Sequence, residues 1–247
     1  MRINQFLAKC NLGSRRAVEE LILEKKIKVN GKIITDLSVQ INPNEDTVTY
    51  GRKTVELPQD RLYIMLNKPK NYLVSAKDDF GRKTVFDLLP DFNMHLFPVG
   101  RLDYHSEGLL LLTSDGYFAE HIIHPRYHLP KVYKVTVKGN ISQEQIEKLR
   151  SGIEIEGVKT KPALVYVKLR KGEKSVLRMT IFEGKKRQIR VMLNIVGSEV
   201  LELKRLQIGD LKLGKLSVGM WRLLKPSEVQ SLKAFYQRKY KPKNEEK

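Results

Sequence analysis

The sequence predicts an α+β fold: a small N-terminal α+β domain over residues 1–57, then a larger domain over 58–236 built on a mainly antiparallel sheet. Three observations predict it. Two short helix signals precede a hairpin signal in residues 2–50. Further along, strand-like runs follow one another or short helices, without the regular alternation a parallel βαβ sheet needs. Between the two, residues 51–60 are polar, contain Gly51 and Pro58, and read as a linker.

The elements follow in order. Residues 2–10 place Ile3, Phe6, Leu7 and Cys10 on one helical face, and Asn11-Leu12-Gly13 ends that helix. Ser14 caps a second helix running to about Glu24, with Val18, Leu21 and Ile22 inward. Arg15 and Arg16 stand in its first turn, where positive charge opposes the helix dipole. Phosphate contact accounts for them; two solvated surface charges is the bland reading. Ile27-Lys28-Val29, the turn pair Asn30-Gly31 and Lys32-Ile33-Ile34 make a hairpin, and Thr47–Tyr50 a last strand.

The larger domain opens with a strand over Leu62–Leu66, turned by Asn67-Lys68-Pro69-Lys70-Asn71. A short helix at Val85–Leu89 stops at Pro90, and a helix at Tyr117–Ile123 is broken by His124-Pro125. Strands are expected at Lys131–Val137, Leu164–Leu169, Ser175–Ile181 and Arg205–Ile208. Capping boxes at Ser142–Gln145 and Ser227–Gln230 open two helices, and Gly197 closes one that follows Gly184–Arg190. A basic, charged tail is expected over 237–247.

Composition limits the function. Lys and Arg number 46 against 28 Asp and Glu, a net charge of +18, which favours a polyanionic partner, most simply nucleic acid. Residues 1–57 hold 10 basic and 7 acidic residues, so most of the excess lies in the larger domain. Cys10 is the one cysteine, so no intrachain disulfide forms and a reducing cytoplasm is the simplest compartment. No apolar run reaches membrane-spanning length, no signal-peptide pattern is present, and no membrane partner is expected.

The chemistry centres on Pro98-Val99-Gly100-Arg101-Leu102-Asp103, a short polar loop, and the apolar run Gly108–Thr113 closed by Ser114-Asp115-Gly116. The run reads as a buried strand, so Asp103 sits on a loop at its mouth, a common place for catalytic side chains. A lone loop aspartate is more often a turn former. Lys185, Lys186, Arg187 and Arg190 put four positive charges within six residues at a helix start, where they call for an anion. If Arg190 lies near Asp103 it favours the ionised carboxylate. Such a group suits attack at a sugar carbon. Tyr133 in its strand would by default fill core space; a cleft position would explain the strand's imperfect alternation.

Two resemblances join these residues. Arg2–Ala8, Ser14-Arg15-Arg16 and Ile27–Gly31 resemble the S4 RNA-binding domain, which implies RNA held by the second helix and the hairpin, hence by Arg15, Arg16 and Lys28. Gly100–Asp103, Glu107–Thr113 and Asp115-Gly116 resemble the signature of bacterial ribosomal RNA pseudouridine synthases of the RsuA type. Asn67-Lys68-Pro69, His124-Pro125, Lys131 with Tyr133, Glu183–Arg190, Leu203-Lys204-Arg205 and Ile208-Gly209 match in the same order. His105 departs from it, since that family often has an acidic residue or Asn there. The resemblance implies that Asp103 is the essential aspartate, acting as nucleophile at C1′ or by taking the 2′-hydrogen. It makes Tyr133 the ring that stacks on the target base and serves proton transfer at C5, and Arg190 the partner of the aspartate. Arg101, Lys131 and Arg187 then join Arg15, Arg16 and Lys28 as RNA contacts. The implied reaction needs no cofactor or metal. The implied partner is ribosomal RNA or a ribosomal precursor particle, bound by a monomer.

Physical reasoning agrees with this. C1′ is out of reach in a stacked helix, so the uridine is extruded and supported by an aromatic ring. The branch resembled is the large-subunit (23S) one, on His124-Pro125 and Gly152–Ile155. A small-subunit (16S) target and a non-catalytic RNA-binding or ribosome-assembly protein are the alternatives. A metal hydrolase using His105, His121, His124 and His128 is a rival class, weakened because Pro125 breaks the helix and no Glu completes a zincin motif.

Overall fold

In the computed structural model, residues 1–58, 60–76 and 78–239 are described. The backbone divides into two compact units. The first comprises Met1–Leu62, Asp91–Phe97 and Thr113–Gly116; the second comprises Tyr63–Pro90, Pro98–Leu112 and Tyr117–Lys247.

In the first unit, α1 (Ile3–Lys9) and α2 (Arg15–Leu23) pack beside a four-stranded sheet. Its strands are β1 (Ile27–Val29), β2 (Lys32–Ile33), β3 (Val48–Tyr50) and β4 (Lys53–Thr54), in the order β2-β1-β3-β4. Ile3, Phe6, Leu7, Val18, Ile22, Ile27, Ile41 and Val48 form its core. The Ser14 hydroxyl accepts the Ala17 N–H at 3.2 Å, as an N-cap should. Asn30 and Gly31 both take positive φ, 50° and 79°, the twist a two-residue hairpin requires. The linker expected over 51–60 begins later: Gly51 (φ 59°) and Arg52 turn β3 back into β4. A two-residue strand of Lys and Thr leaves no alternation to read.

The second unit is built on a nine-stranded sheet. Its strands are β5 (Tyr63–Lys68), β6 (Phe97–Val99), β7 (Glu107–Thr113), β8 (Lys131–Lys138), β11 (Leu164–Lys171), β12 (Lys174–Ile181), β13 (Val200–Ile208), β14 (Leu211–Lys212) and β15 (Trp221–Leu223). The main path runs β11-β12-β8-β13-β7-β5-β15, with β14 on β13 and β6 on β7. The pairs β11–β12, β12–β8, β8–β13, β13–β14 and β5–β15 are antiparallel, while β13 and β7 run parallel. The mostly antiparallel α+β architecture read from the sequence is the one observed. A small hairpin of β9 (Glu154–Ile155) and β10 (Val158–Lys159) stands apart, and α3 (Gly116–Ile123), α4 (Gln143–Ser151), α5 (Gln188–Ile195) and α6 (Pro226–Lys239) complete the unit.

Observed and expected bounds differ at β5 and at both ends of α6. β5 does not turn at Asn67: the Asn67 N–H donates to the Met220 carbonyl at 2.9 Å, and its carbonyl accepts from Gly219 at 2.8 Å, so pairing beside β15 prolongs the strand. The last helix starts two residues before the point set by a capping box at Ser227. Pro226 takes the first helical position, and Glu228 reaches back to the Lys225 N–H at 2.8 Å. The helix continues through Lys239; the rest of the tail expected over 237–247 lies outside the described residues.

Candidate active site

The Leu run does form a buried strand, β7, and Asp103 lies on the loop that enters it. That loop is held from below by a residue to which neither the turn nor the family resemblance gave a role. Lys68, at the end of β5, is fully buried. Its Nζ donates to the carbonyls of Pro69 (2.9 Å), Asp103 (3.2 Å), Tyr104 (3.3 Å) and Ser106 (2.8 Å). Three of those four carbonyls belong to the Asp103 loop. Burial pulls the ammonium down to about 8, while the charges of Asp103 and Glu107 pull the other way. The available signal was a lysine ending an otherwise apolar strand, since such a charge is kept inside only when it is satisfied.

The start of β7 is pressed against β13. Gly108 has φ 104° and faces Arg205 across the parallel pair; a Cβ there would collide with the Arg205 backbone. The close approach positions Arg205, 3% exposed, whose Nε donates to the Leu109 carbonyl at 2.7 Å. Its Nη2 is buried without a hydrogen-bond partner. Arg205 in turn lies opposite Tyr133 of β8.

A cavity of about 530 Å³ opens above these strands, within the range of small-ligand sites. Asp103, Tyr133, Arg101, Lys131, Arg187 and Arg205 all line it. Tyr133 is 7% exposed, so it both packs in the sheet and presents a surface to the cavity. Lys131 donates to the Leu129 carbonyl at 3.2 Å. Burial, with the neighbouring Arg205 charge, draws its amine down to about 8. With Lys185 and Lys186 also on the wall, six cations surround one carboxylate. The cavity therefore combines an apolar and aromatic floor with a strongly anion-seeking rim.

Arg190 stands outside that wall and backs the carboxylate. Its Nε lies 3.8 Å from Asp103 Oδ2, and its Nη1 donates to the Val200 carbonyl at 3.2 Å. Nε is buried with no hydrogen-bond partner, and burial and the Arg187 charge hold the guanidinium below the usual arginine range while Asp103 opposes them. A buried donor left without a hydrogen bond this close to a carboxylate is an exception to the usual pairing of buried polar groups. Ser106 approaches from the other side, with its hydroxyl 3.5 Å from Oδ2. The loop before α5 is fixed by buried Gln188, which accepts from the Lys185 N–H at 3.0 Å and donates to Glu183 at 2.7 Å. Arg187 takes a left-handed conformation there, φ 52°, and is exposed toward the cavity mouth.

Arg15, Arg16 and Lys28 lie in the first unit, all exposed, on the first turn of α2 and the outer side of β1. The four histidines of the rival metal reading do not converge. His121 Nδ1 contacts the Tyr117 carbonyl at 2.7 Å, His124 accepts the Arg126 N–H, and His105 meets Asn71. Among the described residues no three His, Cys, Asp or Glu side chains group as a metal site.

A carboxylate, an aromatic floor and a basic rim gathered on a mixed sheet suit a protein that works on a nucleic acid. The sequence profile described as RNA pseudouridylate synthase matches residues 62–194, and that of the S4 domain matches residues 1–46. An uncharacterized RNA pseudouridine synthase of Aquifex aeolicus (strain VF5) is 43% identical over 98% of both chains. The ribosomal large subunit pseudouridine synthase B of Bacillus subtilis (strain 168) is 40% identical over 94% of this chain and 96% of its own. A crystal structure of a pseudouridylate synthase superposes with a TM-score of 0.69 at 30% identity, covering 94% of this chain and 99% of that one. The chain belongs to the RNA pseudouridine synthase family and carries an S4 RNA-binding domain in front of the catalytic fold. It is an isomerase acting on RNA. Among the described residues no helix is long and apolar enough to cross a membrane.

Proposed function

We propose that this enzyme converts a uridine of large-subunit (23S) ribosomal RNA to pseudouridine, in the cytoplasm, as a monomer acting on the RNA or a precursor particle. The observation that carries the reading is the meeting of Asp103 and Tyr133 on one cavity wall, with the Arg190 guanidinium 3.8 Å from the carboxylate. The large-subunit assignment is supported by the name of the Bacillus subtilis relative.

The target uridine leaves its stack and enters the cavity, with its base on the Tyr133 ring. Asp103, with the Arg190 guanidinium 3.8 Å away, acts at the sugar. The N1–C1′ bond breaks, the uracil turns in place, and C5 bonds to C1′. The C5 proton is lost, with Tyr133 serving that transfer, and N1 gains a proton. Arg101, Lys131 and Arg187 hold the phosphates around the extruded nucleotide, and Arg15, Arg16 and Lys28 hold another stretch of backbone without reading its sequence.

Pseudouridine mapping in ribosomal RNA from a strain lacking the gene tests this. One 23S position should lose its modification, regain it with the wild-type gene, and stay unmodified with Asp103→Asn. Loss at a 16S position instead would reassign the subunit, and restoration by Asp103→Asn would remove Asp103 from the chemistry.

A further inference from the structure

We propose that the exposed face of the nine-stranded sheet, turned away from Tyr133 and Arg205, is a second RNA surface that grips the backbone of a structured segment flanking the target. Successive side chains on a strand point to opposite sides. On β8, Lys131, Tyr133 and Val135 therefore share the cavity side, and Lys134, Thr136 and Lys138 the other. The register then aligns a row across the sheet on that other side. Lys134 lies opposite Arg178 of β12 and opposite Lys204 of β13, and Arg178 lies opposite Tyr166 of the edge strand β11. A second row follows four residues along, where Lys138 faces Lys174 and Lys174 faces Lys171.

Lys134, Arg178, Lys138, Lys174 and Lys171 are exposed, and Tyr166 is 52% exposed. At about 4.8 Å per strand and about 3.4 Å per residue, the six cations on four strands cover a patch of roughly 14 by 14 Å. Like charges directly opposite one another destabilise a sheet. Among the described residues, none of Lys134, Arg178 and Lys204 has an ion pair to offset this. The acidic neighbours do not reach the first row: Glu202 pairs with Lys70 at 3.7 Å and accepts from Thr136, and Glu199 lies 4.0 Å from Lys138 of the second row.

A folding argument alone would not line up three unpaired cations on adjacent strands. A polyanion laid across them removes the repulsion, and RNA is the polyanion this enzyme handles. Double-stranded RNA is held through its shape and phosphates, which suits a flat basic sheet, and Tyr166 at the edge offers a ring to a base where the duplex ends. The surface therefore selects for extended, structured RNA over a bare stem-loop. The inference rests on the chain's action on RNA, and its choice of probe rests on the ribosomal reading.

The test compares binding of a 23S rRNA transcript across salt by three proteins: wild type, Lys134→Ala with Arg178→Ala, and a charge-matched control, Lys212→Ala with Lys215→Ala. The sheet-face pair should bind about tenfold more weakly near physiological salt. Its log K against log salt slope should be shallower by about 2, at about 0.9 per lost phosphate contact. Its turnover on a short hairpin around the modified uridine should match wild type. A wild-type slope for the sheet-face pair, or an equal loss in the control pair, overturns the proposal. Failure of the ribosomal reading shows separately, as absence of pseudouridine in the transcript treated with wild type.

Discussion

Replacing Lys68 by Met keeps the aliphatic stem in its place and removes only the charge. Three N–H donors then vanish from a site where four carbonyls converge. Hydrogen bonds to a charged group contribute roughly 1.5–3 kcal/mol each, so about 5–9 kcal/mol of gross interaction is lost. Against this stands the cost of burying the ammonium. Its fall from 10.5 to about 8 corresponds to about 3 kcal/mol. The net loss is on the order of 2–6 kcal/mol, read as an earlier urea midpoint with unchanged slope. The same change frees the carbonyls of Asp103, Tyr104 and Ser106, so the carboxylate loses its fixed position. The turnover number should fall at least tenfold. RNA affinity should stay constant, because Lys68 has no exposed surface to offer a ligand. A variant with wild-type midpoint and wild-type turnover would refute the claim that Lys68 anchors the Asp103 loop.

Lys131 gives a pH signature. With its amine drawn down to about 8, its charge is present at pH 7 and fades as pH rises through 8, so KM should climb between pH 7 and 9; Lys131→Arg should flatten that climb, and identical profiles would count against a charged role. Gly108→Ala forces a side chain into the Arg205 backbone at a left-handed φ, and should destabilise by about 2–4 kcal/mol in chemical denaturation. Arg15→Ala with Arg16→Ala should weaken RNA binding and make its salt dependence shallower by about 2, with kcat unchanged. An unaltered slope there would remove the first turn of α2 from the phosphate contacts.

Much of this was legible in the chain. Ser14, Asn30-Gly31 and Ser142 act locally, through a cap or a turn whose chemistry is complete within a few residues, and each is where the sequence placed it. The run Leu109–Leu112 announced a buried strand because no solvated element is so continuously apolar. What was not legible depends on partners distant in sequence. Asn67 stays in β5 only because residues near 220 pair with it. The role of Lys68 needs carbonyls some 35 residues away, and that of Arg205 needs a glycine nearly 100 residues earlier. The capping box at Ser227 was displaced because Pro226 takes the first helical position and lets Glu228 serve the Lys225 N–H. At the site, residue identity marked Asp103, Tyr133 and Arg190, but only the register of β8 against β13 and the reach of α5 bring them to one place.

The most direct measurement uses ribosomal RNA carrying tritium at uracil C5, since forming the C5–C1′ bond expels that hydrogen to water. Wild type should release tritium to one equivalent per target uridine, and Asp103→Asn should release none while binding the RNA with wild-type affinity. Tritium released by Asp103→Asn at the wild-type rate would contradict the account at its centre.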